Sequence, residues 1–275
     1  MTNINRRSLF DLSNRTGIVT GGAGTLGKAI VPGLLASGAN VVVADWDMDA
    51  ASQLTAALAP VYGDRVMAVS CDVADVESVQ KMIKETVSRW GRINFVLNNA
   101  ATAAQDPEVH YARFEDYGLA EWRRVMSTNL DGMFLVAQAV GRRMVEQGEG
   151  GAIVQTSSIY GLMASDNRIY EGSTYKGYAI NNPAAYATSK AGVIGLTRWL
   201  AAYWAGENIR VNAVAPGGVK GYENDAFVRR YSKRVPMGRQ ARADELIGAM
   251  VYLVSDAASY VTGQCLLVDG GLSAW

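Results

Sequence analysis

Short runs rich in Val, Ile and Leu recur along the chain, and stretches of helical period separate them. Strands are predicted over 17–20, 40–44, 65–71, 93–97, 151–156, 209–214 and 264–268, and helices over 28–37, 49–58, 76–90, 121–147, 184–205 and 243–255. Gly38 and Gly91 stop the first and third helices. The strand runs are apolar at consecutive positions rather than alternating, so both of their faces are buried. With a crossover helix between successive strands, that pattern specifies a parallel sheet covered on both sides. No internal repeat, low-complexity tract or Pro/Ser-rich break interrupts it. The expected organisation is a flexible extension over 1–9 and one domain over 10–275, a doubly wound Rossmann fold of about seven strands.

Composition narrows the function classes. The 275 residues are 49% hydrophobic and 19% charged, and 26 basic side chains balance 26 acidic ones. Zero net charge lacks the basic footprint of a nucleic-acid binder, so no nucleic-acid partner is expected. The uncharged run over 29–44 is broken by Pro32, Gly33 and Gly38, so no membrane partner is expected either. The opening MTNINRRSLFDLSNR has no signal-peptide core, and the expected location is cytoplasmic. Cys71 and Cys265 each sit in an apolar run, which makes neither a disulfide framework nor a metal set. His110, the only histidine, has no partner carboxylate or cysteine pattern and is expected on a surface loop without a metal. Met126, Met133 and Trp199 fall on helical spacing and are expected in the core.

The first strand runs into Thr20-Gly-Gly-Ala-Gly-Thr-Leu-Gly27 and then a helix, so Gly22, Gly24 and Gly27 form G-x-G-x-x-G in its strand–turn–helix context. Small residues there let backbone approach a pyrophosphate whose charge rests on the helix N-terminus. Alone this is a weak signal. Asp45 strengthens it, since it ends the second strand 18 residues past Gly27, where a carboxylate accepts from both ribose hydroxyls of NAD and repels a 2′-phosphate. Trp46 follows, in place of the Arg that suits NADP. Asp72 and Val73 end the third strand, and Asn99, Ala100 and Ala101 follow the fourth. Strand C-termini are where an open parallel sheet holds its ligand, although Asp72 could equally cap the next helix. Tyr186 and Lys190 stand at i and i+4 on one helix face. A cation there is expected to pull the phenol below its ordinary pKa of about 10 and make it a general acid/base.

Taken together, TGGAGTLG, Asp45, CDV, NNA, STN, SS-IYG, YATSK, NAVAPGG and VDGG resemble the short-chain dehydrogenase/reductase family, single-domain branch, over nearly the whole chain. The resemblance implies a catalytic set of Asn129, Ser158, Tyr186 and Lys190. It implies dinucleotide contacts from Gly21, Gly24, Thr25, Leu26, Asp45, Trp46, Asp72, Val73, Asn99, Ala100, Ala101, Tyr186, Lys190, Pro216, Gly217, Gly218 and Val219. The chain departs from the family pattern in four places. Thr25 stands where the single-domain branch usually has Gly, NNAG has become NNAA, and Gly221 replaces the usual threonine after Pro216-Gly217. Ser158 and Tyr186 are 28 residues apart, about twice the usual spacing, with an insertion rich in Tyr, Asn and Gly between them.

The family's activity implies an NAD-dependent oxidoreductase acting on a CH–OH group, with the cofactor supplying the redox chemistry. Substrate contacts are expected from Ser158, Tyr160, Tyr170 and Tyr186. The segments 158–161 and 169–172 resemble those of members acting on sugars and sugar acids, which makes a polar, carbohydrate-derived alcohol the expected substrate. A non-catalytic dinucleotide sensor, a 3-oxoacyl-type carbonyl reductase, and a lyase or epimerase using transient oxidation remain open. The aromatic cluster Trp199, Leu200, Tyr203 and Trp204 exceeds what one sheet can cover, and with the family's habit of forming dimers of dimers it implies a homotetramer.

Overall fold

The computed structural model describes residues 8–102, 104–221 and 225–275. The element order is β1 (Thr16–Thr20), α1 (Gly27–Ala36), β2 (Asn40–Asp45), α2 (Met48–Tyr62), β3 (Val66–Ser70), α3 (Val76–Trp90), β4 (Phe95–Asn98) and a short α4 (Pro107–His110). Then come α5 (Leu119–Met126), α6 (Gly132–Gln147), β5 (Gly151–Thr156), the hairpin β6 (Thr174–Tyr175) and β7 (Tyr178–Ala179), and α7 (Ala184–Tyr203). The chain closes with β8 (Ile209–Pro216), α8 (Asp225–Arg234), α9 (Ile247–Val254) and β9 (Cys265–Val268).

Seven strands pair in the order β3-β2-β1-β4-β5-β8-β9, every pair parallel. This is the Rossmann arrangement that the consecutive apolar runs predict. Neighbouring residues on each strand enter opposite cores. Ile18, Val42, Val96 and Ile153 pack under α3, α6 and α7, while Val19, Val43, Leu97 and Val154 pack under α1 and α9. Chain order reverses between β1 and β4, and the strand ends open a crevice there. On the α6/α7 side the layers touch closely. A Cβ on Gly141 of α6 would lie 2.2 Å from the Trp204 ring, so only glycine lets that indole seat.

Four sequence expectations need correction. The helix expected over 121–147 is two helices joined by a π-helical turn at Ser127–Asp131, where the inserted backbone residue leaves Asn129 fully buried. The helix expected over 243–255 begins as a 3-10 turn, Ala243–Leu246, before α9. Trp199 is 61% exposed, because Val193, Thr197 and Leu200 occupy the inner face of α7. His110 is buried and does have a carboxylate partner, Glu121, 2.6 Å from its Nδ1. The signal was out of reach of local pattern, because the two residues lie 11 apart across an irregular stretch.

The insertion after Ser158 is ordered. It forms a 3-10 turn, Asn167–Tyr170, and the β6–β7 hairpin, whose central Lys176 and Gly177 both have positive φ. Of the N-terminal extension, residues 1–7 lie outside the described residues and Ser8 begins a 3-10 turn, Ser8–Phe10. Among the described residues no helix is long and apolar enough to cross a membrane. Cys71 and Cys265 are both free thiols.

Candidate active site

The crevice is built from the turn after each strand. At the end of β1, Thr20 Oγ1 accepts from the backbone N–H groups of Asn99 (2.9 Å) and Ala100 (3.1 Å), stitching β1 to β4. Gly21 follows at φ +60°, and a Cβ there would sit 2.9 Å from Ala100 Cα, so the turn requires glycine twice over. The N–H groups of Thr25 and Leu26, just before α1, have no protein acceptor among the described residues. Gly24 donates its N–H to Gly21 O (3.1 Å) and so closes the turn beneath them. Asp45 ends β2 almost fully buried, accepting from Ala23 N–H (2.9 Å) and Asp47 N–H (3.2 Å). Trp46 stands beside it, 79% exposed at the mouth.

Asp72 accepts from Ala74 N–H (2.9 Å) in a tight turn and does not cap α3, whose N-cap is Asp75. Val73 is buried against Gly132. Asn99 donates to Thr20 O and Gly21 O, and its buried Oδ1 has no hydrogen-bond partner. Ala101 is exposed at the crevice edge.

At the opposite wall, Pro216 ends β8 and Gly217 donates to Val268 O (3.0 Å). Gly218 N–H donates to the Tyr231 hydroxyl of α8, and Val219 bridges to Ala241. Tyr231 is a site residue that sequence reasoning missed. It lies on a helix that the sequence did not predict, and it matches no local motif.

The four residues expected to be catalytic come together at the ends of β5 and α7. Ser157 Oγ donates to Lys190 O (2.8 Å) and seats the Ile159–Gly161 turn against α7. Ser158, buried at the strand end, accepts from Tyr160 N–H (3.2 Å), and the Tyr186 phenol lies beside it. Lys190 is buried one turn on, and its ammonium donates to Thr156 O (2.8 Å). An ammonium has three donors, so two remain without a protein acceptor among the described residues. Asn129 accepts from Thr102 N–H (2.9 Å) through Oδ1 and donates to Ser189 Oγ (3.3 Å).

Electrostatics correct one expectation. Lys190 lies 5.8 Å from the Tyr186 ring centroid with its ammonium turned to Thr156 O. The phenol is pushed up from its ordinary value by burial, which outweighs the lowering by the neighbouring Ser158. Burial also pulls the Lys190 ammonium down to about 8.

The insertion packs against α8 and the turn after Ser158. Asp166 pairs with Arg168 and with Arg234 of α8, and Tyr170 packs on Phe227 with ring centroids 5.2 Å apart. Burial pushes the Tyr170 phenol well above its ordinary range, and the nearby Tyr160 phenol adds to that shift. Tyr160, Tyr170 and Tyr186 thus carry neighbouring phenols.

A family model described as enoyl-(acyl carrier protein) reductase, one of the short-chain dehydrogenase models, matches residues 21–273. The chain belongs to the short-chain dehydrogenase/reductase family. It is an oxidoreductase of CH–OH groups, as its named relatives are. It is 36% identical over 273 residues to the D-threitol dehydrogenase of Mycolicibacterium smegmatis, an alignment covering 95% of this chain and 94% of that one. Among solved structures, a gluconate 5-dehydrogenase from Burkholderia cenocepacia in complex with NADP and tartrate superposes with a TM-score of 0.85. The identity is 31%, over 98% of this chain and 100% of that one. A short-chain dehydrogenase from Leptospira borgpetersenii with bound NAD+ gives 0.83 at 29% identity, over 99% and 97%.

Proposed function

We propose that the protein oxidises a secondary alcohol or sugar hemiacetal on a polar, carbohydrate-derived substrate, with NAD as its dinucleotide and Tyr186 as general acid/base. The observation that carries this reading is the buried Tyr186 phenol beside Ser158, one helical turn from a buried lysine whose ammonium is held at Thr156 O. The residues of the crevice fit a dinucleotide. The N–H groups of Thr25 and Leu26 suit its pyrophosphate, and the Asp45 carboxylate suits the adenosine ribose. The spare Lys190 donors suit the second ribose. When bound, the nicotinamide supplies the hydride acceptor.

The chain's own residues handle the rest. Ser158 holds the substrate oxygen and stabilises charge as it develops. Tyr186 takes the hydroxyl proton at its phenolic oxygen. Asn129, buried in the π turn, holds Ser189 and through it the first turn of α7, since Ser189 Oγ donates to Tyr186 O (2.7 Å). The neighbouring phenols of Tyr160, Tyr170 and Tyr186 give this part of the crevice a polar character that suits a hydroxyl-rich substrate. The dehydrogenase acting on D-threitol and the gluconate 5-dehydrogenase support the same substrate class. A screen of NADH formation against polyols, sugars, sugar acids and long-chain apolar alcohols tests the reading. Preference for the apolar alcohols would overturn it.

The choice of NAD rests on Asp45, whose carboxylate is already anchored over the glycine turn and would meet a 2′-phosphate as a like charge. NAD is expected to be favoured over NADP by at least tenfold in kcat/KM, about 1.4 kcal/mol. Replacing Asp45→Ser together with Trp46→Arg should erase that preference. Equal efficiencies in the parent protein would refute the assignment.

Trp199 and Tyr203 stack on the outer face of α7 with centroids 4.8 Å apart, 61% and 64% exposed. That face supports assembly as a homotetramer. Light scattering at micromolar concentration should return four times the chain mass, and a monomer would exclude it.

A further inference from the structure

A chain of polar contacts leads away from Asn129, and its outer members, Thr102, Arg124, Glu121 and His110, have no part in the reaction as described. His110, at the end of α4, meets Glu121 Oε1 at 2.6 Å. Arg124, one turn along α5, grips the same carboxylate in a fork, Nε to Oε2 at 2.6 Å and Nη2 to Oε1 at 2.7 Å. Its third nitrogen, Nη1, donates to Thr102 Oγ1 at 2.5 Å. Thr102 in turn gives its backbone N–H to Asn129 Oδ1 at 2.9 Å. Asn129 Nδ2 donates to Ser189 Oγ, which donates to Tyr186 O. Five residues, Glu121, Arg124, Thr102, Asn129 and Ser189, thus join His110 to the first turn of the catalytic helix. The Glu121 and His110 side chains are about nine-tenths buried, and Arg124's hydrogen bonds hold Glu121 below the usual carboxylate range.

We infer that Arg124, oriented by Glu121 and His110, is a positioning residue for the reaction. It pins Thr102, and through Thr102 it sets the side chain of Asn129 and the segment Asn99-Ala100-Ala101 that edges the crevice. The physical case is geometric. Thr102 follows β4 on an irregular stretch, where no strand or helix ladder fixes it. Among its contacts are Asn129 at its N–H and Arg124 at its hydroxyl. A guanidinium fork clamped to a buried carboxylate has one orientation, so Nη1 can only point one way. With that anchor gone, Thr102 N–H drifts from Asn129 Oδ1, the Asn129 amide is free to turn, and Ser189 loses the partner that steadies α7 at Tyr186. The effect falls on turnover more than on substrate affinity, because neither Arg124 nor Thr102 stands at Ser158, Tyr160 or Tyr170.

The inference rests on the dehydrogenase reading, and its test carries a readout that does not. Arg124→Met, Arg124→Lys and Glu121→Gln would be compared with Arg15→Met, which breaks the Arg15–Asp256 ion pair (2.6 Å) beside the other end of the sheet. Amide hydrogen exchange over 99–112 would be measured without dinucleotide, and kcat and substrate KM with it. Exchange at the Thr102 amide is expected to rise at least tenfold in Arg124→Met. Its kcat should fall at least tenfold per folded molecule, while substrate KM stays within threefold. Arg124→Lys keeps the charge but not the fork, and should not restore either quantity. Arg15→Met should lower thermal stability and leave both unchanged. Should Arg124→Met not fold, Thr102→Val removes the same anchor and should give the same pair of effects.

Unchanged exchange at Thr102, full turnover in a folded Arg124 variant, or an equal loss in Arg15→Met would each overturn the inference. If the parent protein forms no NADH with any alcohol, the dehydrogenase reading fails. The exchange data then decide by themselves whether Arg124 holds this segment.

Discussion

Tyr186→Phe is expected to cut turnover by at least a hundredfold while leaving NADH binding within a few-fold of the parent. The substitution removes one oxygen from a side chain whose ring stays in place, so the crevice keeps its shape and only the proton acceptor disappears. Ser158 still accepts from Tyr160 N–H. In the parent, oxidation should rise with pH, since the ionised phenol is the form that takes the substrate proton. Burial holds that phenol above its ordinary value in the protein alone. Cationic groups around it must therefore do the lowering once the dinucleotide is bound. The apparent pKa from kcat should lie well below the phenol pKa read by ultraviolet titration of the protein without dinucleotide. A Phe variant that retains most of its activity would remove Tyr186 from the mechanism.

Lys190→Met should abolish measurable turnover, losing at least a hundredfold, and yet raise the stability of the protein without dinucleotide near pH 7. The two effects have one origin. In the fold the ammonium is pulled down to about 8 by burial, against 10.5 for an ordinary lysine. Between those values the unfolded chain holds a proton that the folded protein has released, so stability contributed by this group increases with pH across that window. Below about 8 the fold carries a constant cost for keeping the charge buried, on the order of 3 kcal/mol. Methionine removes that cost and leaves Thr156 O without its donor, which takes back about 1–3 kcal/mol. The net gain is therefore on the order of 1 kcal/mol. The more diagnostic change is in slope. The rise in stability between pH 8 and 10.5 should flatten in the variant, measured by denaturant unfolding at fixed temperature. A parent protein whose stability is flat over that range would show that Lys190 is solvated when the dinucleotide is absent.

The contrast between these two residues shows which parts of this protein are local properties of its chain. Parallel strands buried on both faces must be apolar at every position, so the seven runs and most of the helices between them, though not α8, were readable without coordinates. The α3 helix falls on its predicted bounds, because Asp75 caps its start and Gly91 takes the left-handed turn at its end. The glycine turn, Asp45, the serine pair and Tyr186–Lys190 are short patterns, and the crevice gathers them because Rossmann topology brings strand C-termini to one edge. Other features depend on which distant groups meet. His110 and Glu121 pair across an irregular segment with no periodicity to betray them. Tyr231 reaches Gly218 from α8, Asp166 reaches Arg234 across the insertion, and the π turn at Asn129 leaves no mark in a hydrophobic pattern. Trp199 shares the helical spacing of core residues, and only the packing of α7 turns it outward. The sign of the Tyr186 shift belongs with these. A nearby lysine at i+4 is visible in the chain, but whether it lowers the phenol depends on burial and on where the ammonium points, and those are tertiary facts.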